Sequence, residues 1–293
     1  MNQTLKIAAL QMVSTTSVAE NMVAAEALIE RAAGEGAELA VLPEYFCLLG
    51  RSDRDKLGVA EPLGDGPIQR MLAESAHRHR LWLVGGTLPI TTVGTSAGQG
   101  GDSSRVMNSN LVFSPEGELV ARYDKIHLFR YDHGTEHYDE GRTLNPGMTP
   151  VAFAAGAWRV GLSVCYDLRF PELYRSLMQP PCDLLCVPSA FTYPTGAAHW
   201  EVLLRARAIE NQCYVVAAAQ GGRHDNGRRT FGHSVIVDPW GEILAMRAEG
   251  EGVISVELKR ERIDEVRTQL PALEHRRSFA ATELNFPGAR RSG

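Results

Sequence analysis

Three residues of this chain have side chains that could together break an acyl bond, and each stands at a loop or strand end: Glu44, Lys125 and Cys165. A thiol can attack a carbonyl carbon if a base removes its proton and a positive group meets the oxyanion that develops. Glu44 could be that base, if partial burial raises its pKa towards neutrality. Lys125 could supply the positive charge, beside the backbone N–H of Tyr166. Alone, each has a plainer reading: a buried small hydrophobe for the cysteine, a capping or surface carboxylate for the glutamate, a solvated charge for the lysine. Histidine is the usual partner of a thiol, and the loop at residues 130–137 offers two. Its spacing matches no metal motif, and a solvated polar loop accounts for it.

The elements that must position these groups are legible as an alternation of strands and helices. Residues 160–164 are short, apolar and β-branched, which predicts a buried strand. Phe170 onward predicts a helix, with Pro171 in its first turn, where a missing N–H costs little. Cys165 then sits at the carboxyl end of a strand, the edge at which α/β sheets bind ligands. Helical N–H groups nearby would favour its thiolate. Residues 39–42 form a strand running into Pro43-Glu44, and residues 5–12 the first strand. Ser17 and Glu20 have capping-box spacing ahead of a helix that Gly34 and Gly36 stop.

Further along, Pro67 opens a helix to His79, residues 81–86 form a strand, and residues 91–105 an exposed Gly, Ser and Thr loop. Residues 106–113 and 118–123 flank a Ser114-Pro115-Glu116-Gly117 turn as a hairpin that leads into Lys125. Residues 129–148 are polar and irregular, a loop long enough to suggest function. Strands follow at residues 183–187 and 214–219, with a helix at residues 198–211 between them. A second hairpin turns at Asp238-Pro239-Trp240-Gly241, then come a strand at residues 253–256 and a helix at residues 262–269. The two hairpins echo one another in sequence, which suggests two related halves, each a sheet covered by helices, packed sheet against sheet.

Composition bounds the rest. The 293 residues are 44% hydrophobic with a net charge of −5. No linker divides them, which predicts one domain over residues 1–277 and an extended basic tail over 278–293. There is no basic stripe for nucleic acid, no apolar run of membrane-spanning length and no signal peptide. Five scattered cysteines fit reduced thiols in a cytoplasmic enzyme better than a disulfide framework.

Val41-Leu42-Pro43-Glu44, Tyr123-Asp124-Lys125-Ile126-His127-Leu128-Phe129 and Val164-Cys165-Tyr166-Asp167-Leu168-Arg169-Phe170-Pro171-Glu172 resemble, in order, the three signatures of the nitrilase superfamily of carbon–nitrogen hydrolases. The resemblance extends from Leu5 to about Arg277. It implies a four-layer α-β-β-α sandwich and a Glu44–Lys125–Cys165 triad acting without metal or organic cofactor, through a thioester at Cys165. It also implies a second glutamate near the lysine, Glu140 or else Glu136.

Residues 199–224 most resemble the deaminated glutathione amidase branch, whose relatives include ω-amidases acting on α-ketoglutaramate. Both substrates end in a 2-oxo acid carboxylate, which a guanidinium suits. Arg169 and Thr195 resemble positions that contact such a carboxylate, although Arg169 is equally readable as an ion-pair partner of Glu172 or Asp167. An N-carbamoyl amino acid hydrolase, a nitrilase and an inactive binding member of the fold stay open as alternatives. A homodimer or higher homo-oligomer is the expected assembly.

Overall fold

The structure is a computed structural model that describes residues 3–92, 104–133 and 136–277, without the side chains of His133 and Glu136. The first half supplies β1 (Thr4–Gln11), α1 (Val18–Gly34), β2 (Leu39–Val41), α2 (Pro67–His79), β3 (Trp82–Val84), β4 (Leu88–Thr91), β5 (Val106–Phe113) and β6 (Leu119–Asp124). A small hairpin, β7 (Arg130–His133) with β8 (Glu136–Asp139), bridges to the second half. There follow β9 (Ala152–Ala155), β10 (Trp158–Leu162), α3 (Pro171–Ser176), β11 (Leu184–Cys186), α4 (Tyr193–Asn211) and β12 (Tyr214–Ala217). The chain finishes with β13 (Gly221–Arg223), β14 (Arg229–Phe231), β15 (Ser234–Val237), β16 (Ile243–Arg247), β17 (Gly252–Lys259) and α5 (Arg260–Gln269).

Two sheets result. One has the order β17-β1-β2-β3-β5-β4, with β6 also on β5; the other runs β16-β15-β12-β11-β10-β9. The period of two along β1 explains the layering. Ile7 and Ala9 enter a core shared with Val160, Leu162 and Val215 of the other sheet. Their neighbours Ala8 and Leu10 enter a separate core with Leu28 and Ile29 of α1 and Leu72 of α2. The first core also reaches Leu173 of α3 and Leu204 and Ala208 of α4, so the layers are α-β-β-α. Central strands buried on both faces, such as β2 and β3, read as continuous apolar runs because they lie in parallel pairs under two covers.

The echo between the halves is geometric. Ser114 N–H donates to Glu118 O (2.9 Å) and Gly117 N–H to Ser114 O (2.8 Å). Asp238 N–H donates to Glu242 O (2.9 Å) and Gly241 N–H to Asp238 O (3.0 Å). Both turns end in a glycine at positive φ, 82° and 91°, and both hairpins slip register one pair before the turn.

Three expectations need correction. The stretch at residues 129–148 is not wholly irregular: it holds β7, β8 and a 3₁₀ turn at Glu140–Arg142. The helix α4 begins at Tyr193 rather than residue 198, because Pro194 occupies its first turn with φ already suited to a helix. The strands β4 and β9 were not anticipated, each being only four residues long. The predicted tail at 278–293 and residues 93–103 of the predicted loop lie outside the described residues.

Candidate active site

Each of the three reactive side chains stands just past a strand, and the sandwich brings all three together at one end. Glu44 follows β2, Lys125 follows β6, and Cys165 opens a 3₁₀ turn, Cys165–Arg169, after β10. Cys165 has φ of +50° and Tyr45, next to Glu44, +55°. Non-glycine residues in this region each cost about 1–3 kcal/mol and persist only where the surroundings over-determine them. Here Cys165 N–H is held by Pro188 O at 2.9 Å and Tyr45 N–H by Thr87 Oγ1 at 2.9 Å.

Lys125 is the centre of the cluster and is almost fully buried. Its Nζ lies 2.8 Å from Glu44 Oε1 and 2.8 Å from Glu140 Oε2, so one ammonium faces two buried carboxylates. Burial alone would lower its pKa, but Glu140 and then Glu44 outweigh that and hold it well above the ordinary value. Glu44 Oε1 also accepts from Asn108 Nδ2 (2.9 Å) and Oε2 from Ala190 N–H (3.0 Å). Its pKa is nonetheless raised, because desolvation exceeds what Lys125 returns and Glu140 adds like charge. Glu140 accepts from Tyr45 Oη at 2.7 Å and from Phe129 N–H at 2.7 Å. Burial would raise it too, yet Lys125 and Lys56 together bring it below the usual range. Of the two candidate second glutamates, then, Glu140 stands in the cluster; the Glu136 side chain lies outside the described residues.

The Cys165 thiol and the Glu44 carboxylate are neighbours in the cluster, and each shifts the other. The thiol's pKa is not lowered, as the nearby helical turn suggested, but raised well above the ordinary value. Burial is the largest cause and the Glu44 charge the next, and Lys125 does not offset them. In this arrangement the thiol needs a base, and Glu44 is the neighbouring carboxylate.

A cavity opens over the cluster and reaches solvent. Tyr166, Arg169 and Thr195 all line it. Arg169 makes no ion pair with Glu172 or Asp167. Its guanidinium rests over the rings of Phe191 (5.4 Å) and Tyr166 (5.8 Å) and meets His199 Nδ1 at 3.1 Å. Thr195 Oγ1 pairs with Thr192 Oγ1 at 2.8 Å at the start of α4. Among the described residues no group of three or more His, Cys, Asp or Glu could hold a metal ion, and no helix is long and apolar enough to cross a membrane. All five cysteines are free and buried.

Sequence reasoning missed the groups that lock these loops. Asp167 is fully buried, and its Oδ2 accepts from Tyr123 Oη (2.7 Å) and Val164 N–H (2.9 Å). Its Oδ1 accepts from His127 N–H (3.0 Å) and lies 2.7 Å from His127 Nδ1. A single carboxylate thus ties the Cys165 turn to the residues on either side of Lys125. The signal was present: Tyr123, Lys125 and His127 alternate, and Asp167 follows Cys165 by two. Lys56 was missed as well. It lines the cavity with its Nζ 5.0 Å from the centre of the Tyr45 ring.

The chain is similar to known proteins over most of its length. The carbon–nitrogen hydrolase family profile matches residues 6–268. A deaminated glutathione amidase of Synechocystis sp. is 42% identical over 274 residues, covering 92% of this chain and 97% of its own. The human protein of that name is 39% identical, covering 96% of this chain and 85% of its own. Among solved structures, Nit3 of Saccharomyces cerevisiae, described as a member of branch 10 of the nitrilase superfamily, superposes with a TM-score of 0.81. It is 32% identical, covering 92% of this chain and 95% of its own.

Proposed function

The chain belongs to the carbon–nitrogen hydrolase family, and from that premise we propose that it hydrolyses the amide of deaminated glutathione, giving a 2-oxo acid and Cys-Gly. The observation that carries the reading is that Glu44, Lys125 and Cys165 line one cavity, with Lys125 bonded to both Glu44 and Glu140 and the Arg169 guanidinium in the same wall. Likeness to relatives named for that substrate supports the choice.

In the proposed reaction Glu44 takes the Cys165 proton as Sγ bonds to the amide carbon. Negative charge moves to the carbonyl oxygen. Lys125 meets it there: an ammonium has three N–H bonds, and two carboxylates leave one free. The Tyr166 N–H, second in its turn, has no earlier carbonyl in reach and is the other donor. Collapse of the tetrahedral adduct breaks the C–N bond, and Glu44 returns the proton to the departing amine. Water then enters, Glu44 removes its proton, and its oxygen attacks the thioester; Cys165 leaves and is reprotonated. Glu140 holds Lys125 in place and stays ionised. Arg169 takes the 2-oxo acid carboxylate of the acyl part, with Thr195 beside it.

An ω-amidase on α-ketoglutaramate is the second reading, because that substrate has the same acyl group and differs only in releasing ammonia. The cytoplasm suits five free thiols. A homodimer or larger homo-oligomer belongs to the same reading. Steady-state kinetics on deaminated glutathione, α-ketoglutaramate, an N-carbamoyl amino acid and a simple nitrile decides among the substrates. Deaminated glutathione should have the highest kcat/KM, and a tenfold preference for α-ketoglutaramate would reverse the assignment. Cys165→Ala should bring turnover to background while the wild type shows an acyl adduct at Cys165 by mass spectrometry.

A further inference from the structure

The cavity has a second chamber that the reaction as described leaves without a role. A small recess beside the main cavity shares Tyr45, Leu49, Asp53, Lys56 and Arg228 with it and is completed by Leu48, Gly50 and Ser52. Arg169 and Thr195 belong to the main cavity only. The space over Cys165 therefore has a guanidinium in one part and an annex in another.

The cations of the annex differ in how they are matched. Arg228 Nη2 is 3.3 Å from Asp53 Oδ1 and its guanidinium lies over the Tyr138 ring. Lys56 is half-buried, and no ion pair joins its Nζ to a carboxylate among the described residues; its near neighbour is the Tyr45 ring. Burial lowers its pKa, and the more distant charges of Glu140 and Asp53 restore only part of that. A desolvated cation without a close counter-ion gains more from an incoming carboxylate than a solvated one does.

Deaminated glutathione has two carboxylates, one on the acyl part and one at the end of the Cys-Gly part. We propose that Lys56 determines leaving-group specificity by receiving the Cys-Gly carboxylate in the annex, with the acyl carboxylate at Arg169. This rests on the substrate reading above. It assigns discrimination to acylation, since deaminated glutathione and α-ketoglutaramate give the same acyl-enzyme. Contact with a remote carboxylate then lowers the acylation barrier for the larger substrate alone.

The test is a cycle on the purified full-length enzyme using deaminated glutathione, its C-terminal carboxamide and α-ketoglutaramate. In the wild type, converting that carboxylate to the amide should lower kcat/KM about 10–100-fold, the range for a lost hydrogen bond to a charged group. In Lys56→Met the same conversion should have almost no effect. The variant should also lose about 10–100-fold more on deaminated glutathione than on α-ketoglutaramate, and Lys56→Arg should restore most of the difference. If Lys56 acts only through its charge near Glu140, all substrates fall alike and the amide conversion costs the same in both enzymes; that result overturns the proposal. The wild-type comparison of acid and amide needs no variant, so a Lys56→Met chain that does not fold leaves it decidable. A wild type that cleaves none of the three removes the substrate reading and this one with it, whereas cleavage with an additive cycle removes this one alone.

Discussion

Glu44 and Glu140 share one ammonium yet shift in opposite directions, and the reason is the company each keeps. Glu140 has Lys56 as a second cation, while for Glu44 desolvation outweighs what Lys125 returns and the charge of Glu140 adds to it. A group whose folded pKa is raised, as Glu44's is, adds stability below its unfolded pKa and loses it as pH rises through the folded value. At neutral pH the ionised Glu44 is therefore a burden on the fold. Glu44→Gln should cut kcat by about 10²–10⁴-fold, the usual range for a general base, with thermal stability unchanged or higher. In the wild type, kcat/KM should fall as pH drops through a midpoint above the ordinary 4.5 of a glutamate. Lys125→Ala should do the opposite to stability. It leaves two buried carboxylates without their shared counter-ion, a loss of about 3–5 kcal/mol in chemical denaturation. Equal stability losses in the two variants would contradict this division.

At the scale of elements, Gly196 shows two local rules in conflict. An interior helical glycine costs about 1 kcal/mol against alanine, so propensity alone favours Gly196→Ala in α4. A Cβ there would meet Phe231 Cβ at 2.3 Å and Cγ at 2.4 Å. Overpacking of that kind costs about 1–3 kcal/mol, so the clash should win. Displacing Phe231 also disturbs the wall at Thr195, and KM should rise more than kcat falls; a stabilised Gly196→Ala with unchanged KM would count against it.

That segment also marks the limit of what the sequence disclosed. The strand ends that present Glu44 and Cys165 were legible because each follows an apolar run that no solvent-exposed segment would have; Lys125 was legible instead as the exit of a hairpin, whose second strand is partly exposed. The beginning of α4 was not, since Tyr193-Pro194-Thr195-Gly196 lacks helical periodicity and owes its shape to Pro194 and to packing under Phe231. Lys56 was hidden in a charged stretch, residues 51–56, that reads as a solvated surface. The direction of the Cys165 shift depends on how completely the sandwich buries it, which motifs do not report.

The whole molecule divides the site between its halves. Glu44 and Lys125 come from the first, Cys165 and the Ala190 N–H on Glu44 from the second. Gln220 bolts them: its Nε2 reaches Glu44 O (3.2 Å) and Ser14 Oγ (2.7 Å), and its Oε1 accepts Ser14 N–H (3.0 Å). The strand β17 closes the arrangement by pairing antiparallel along all of β1, from Thr4 with Lys259 to Gln11 with Gly252. A chain ending at Glu251 leaves β1 with a bare edge. Its four cysteines other than Cys165 should react quickly with a thiol reagent, where in the full chain, with those four buried away from the cavity, they should react slowly; slow labelling of both would show that β17 is dispensable.

The place of β17 has a consequence during synthesis. The nucleophile emerges from the ribosome well before the strand that closes the first sheet. At 5–20 residues per second the interval from Cys165 to Lys259 is on the order of 5–20 s. Throughout that time the thiol has the reactivity of an unfolded cysteine and the glutamate that is to activate it has no fixed partner. A nascent chain should thus be open to oxidation at Cys165 with no catalysis to misdirect, and competence should arrive only once β17 has docked on β1.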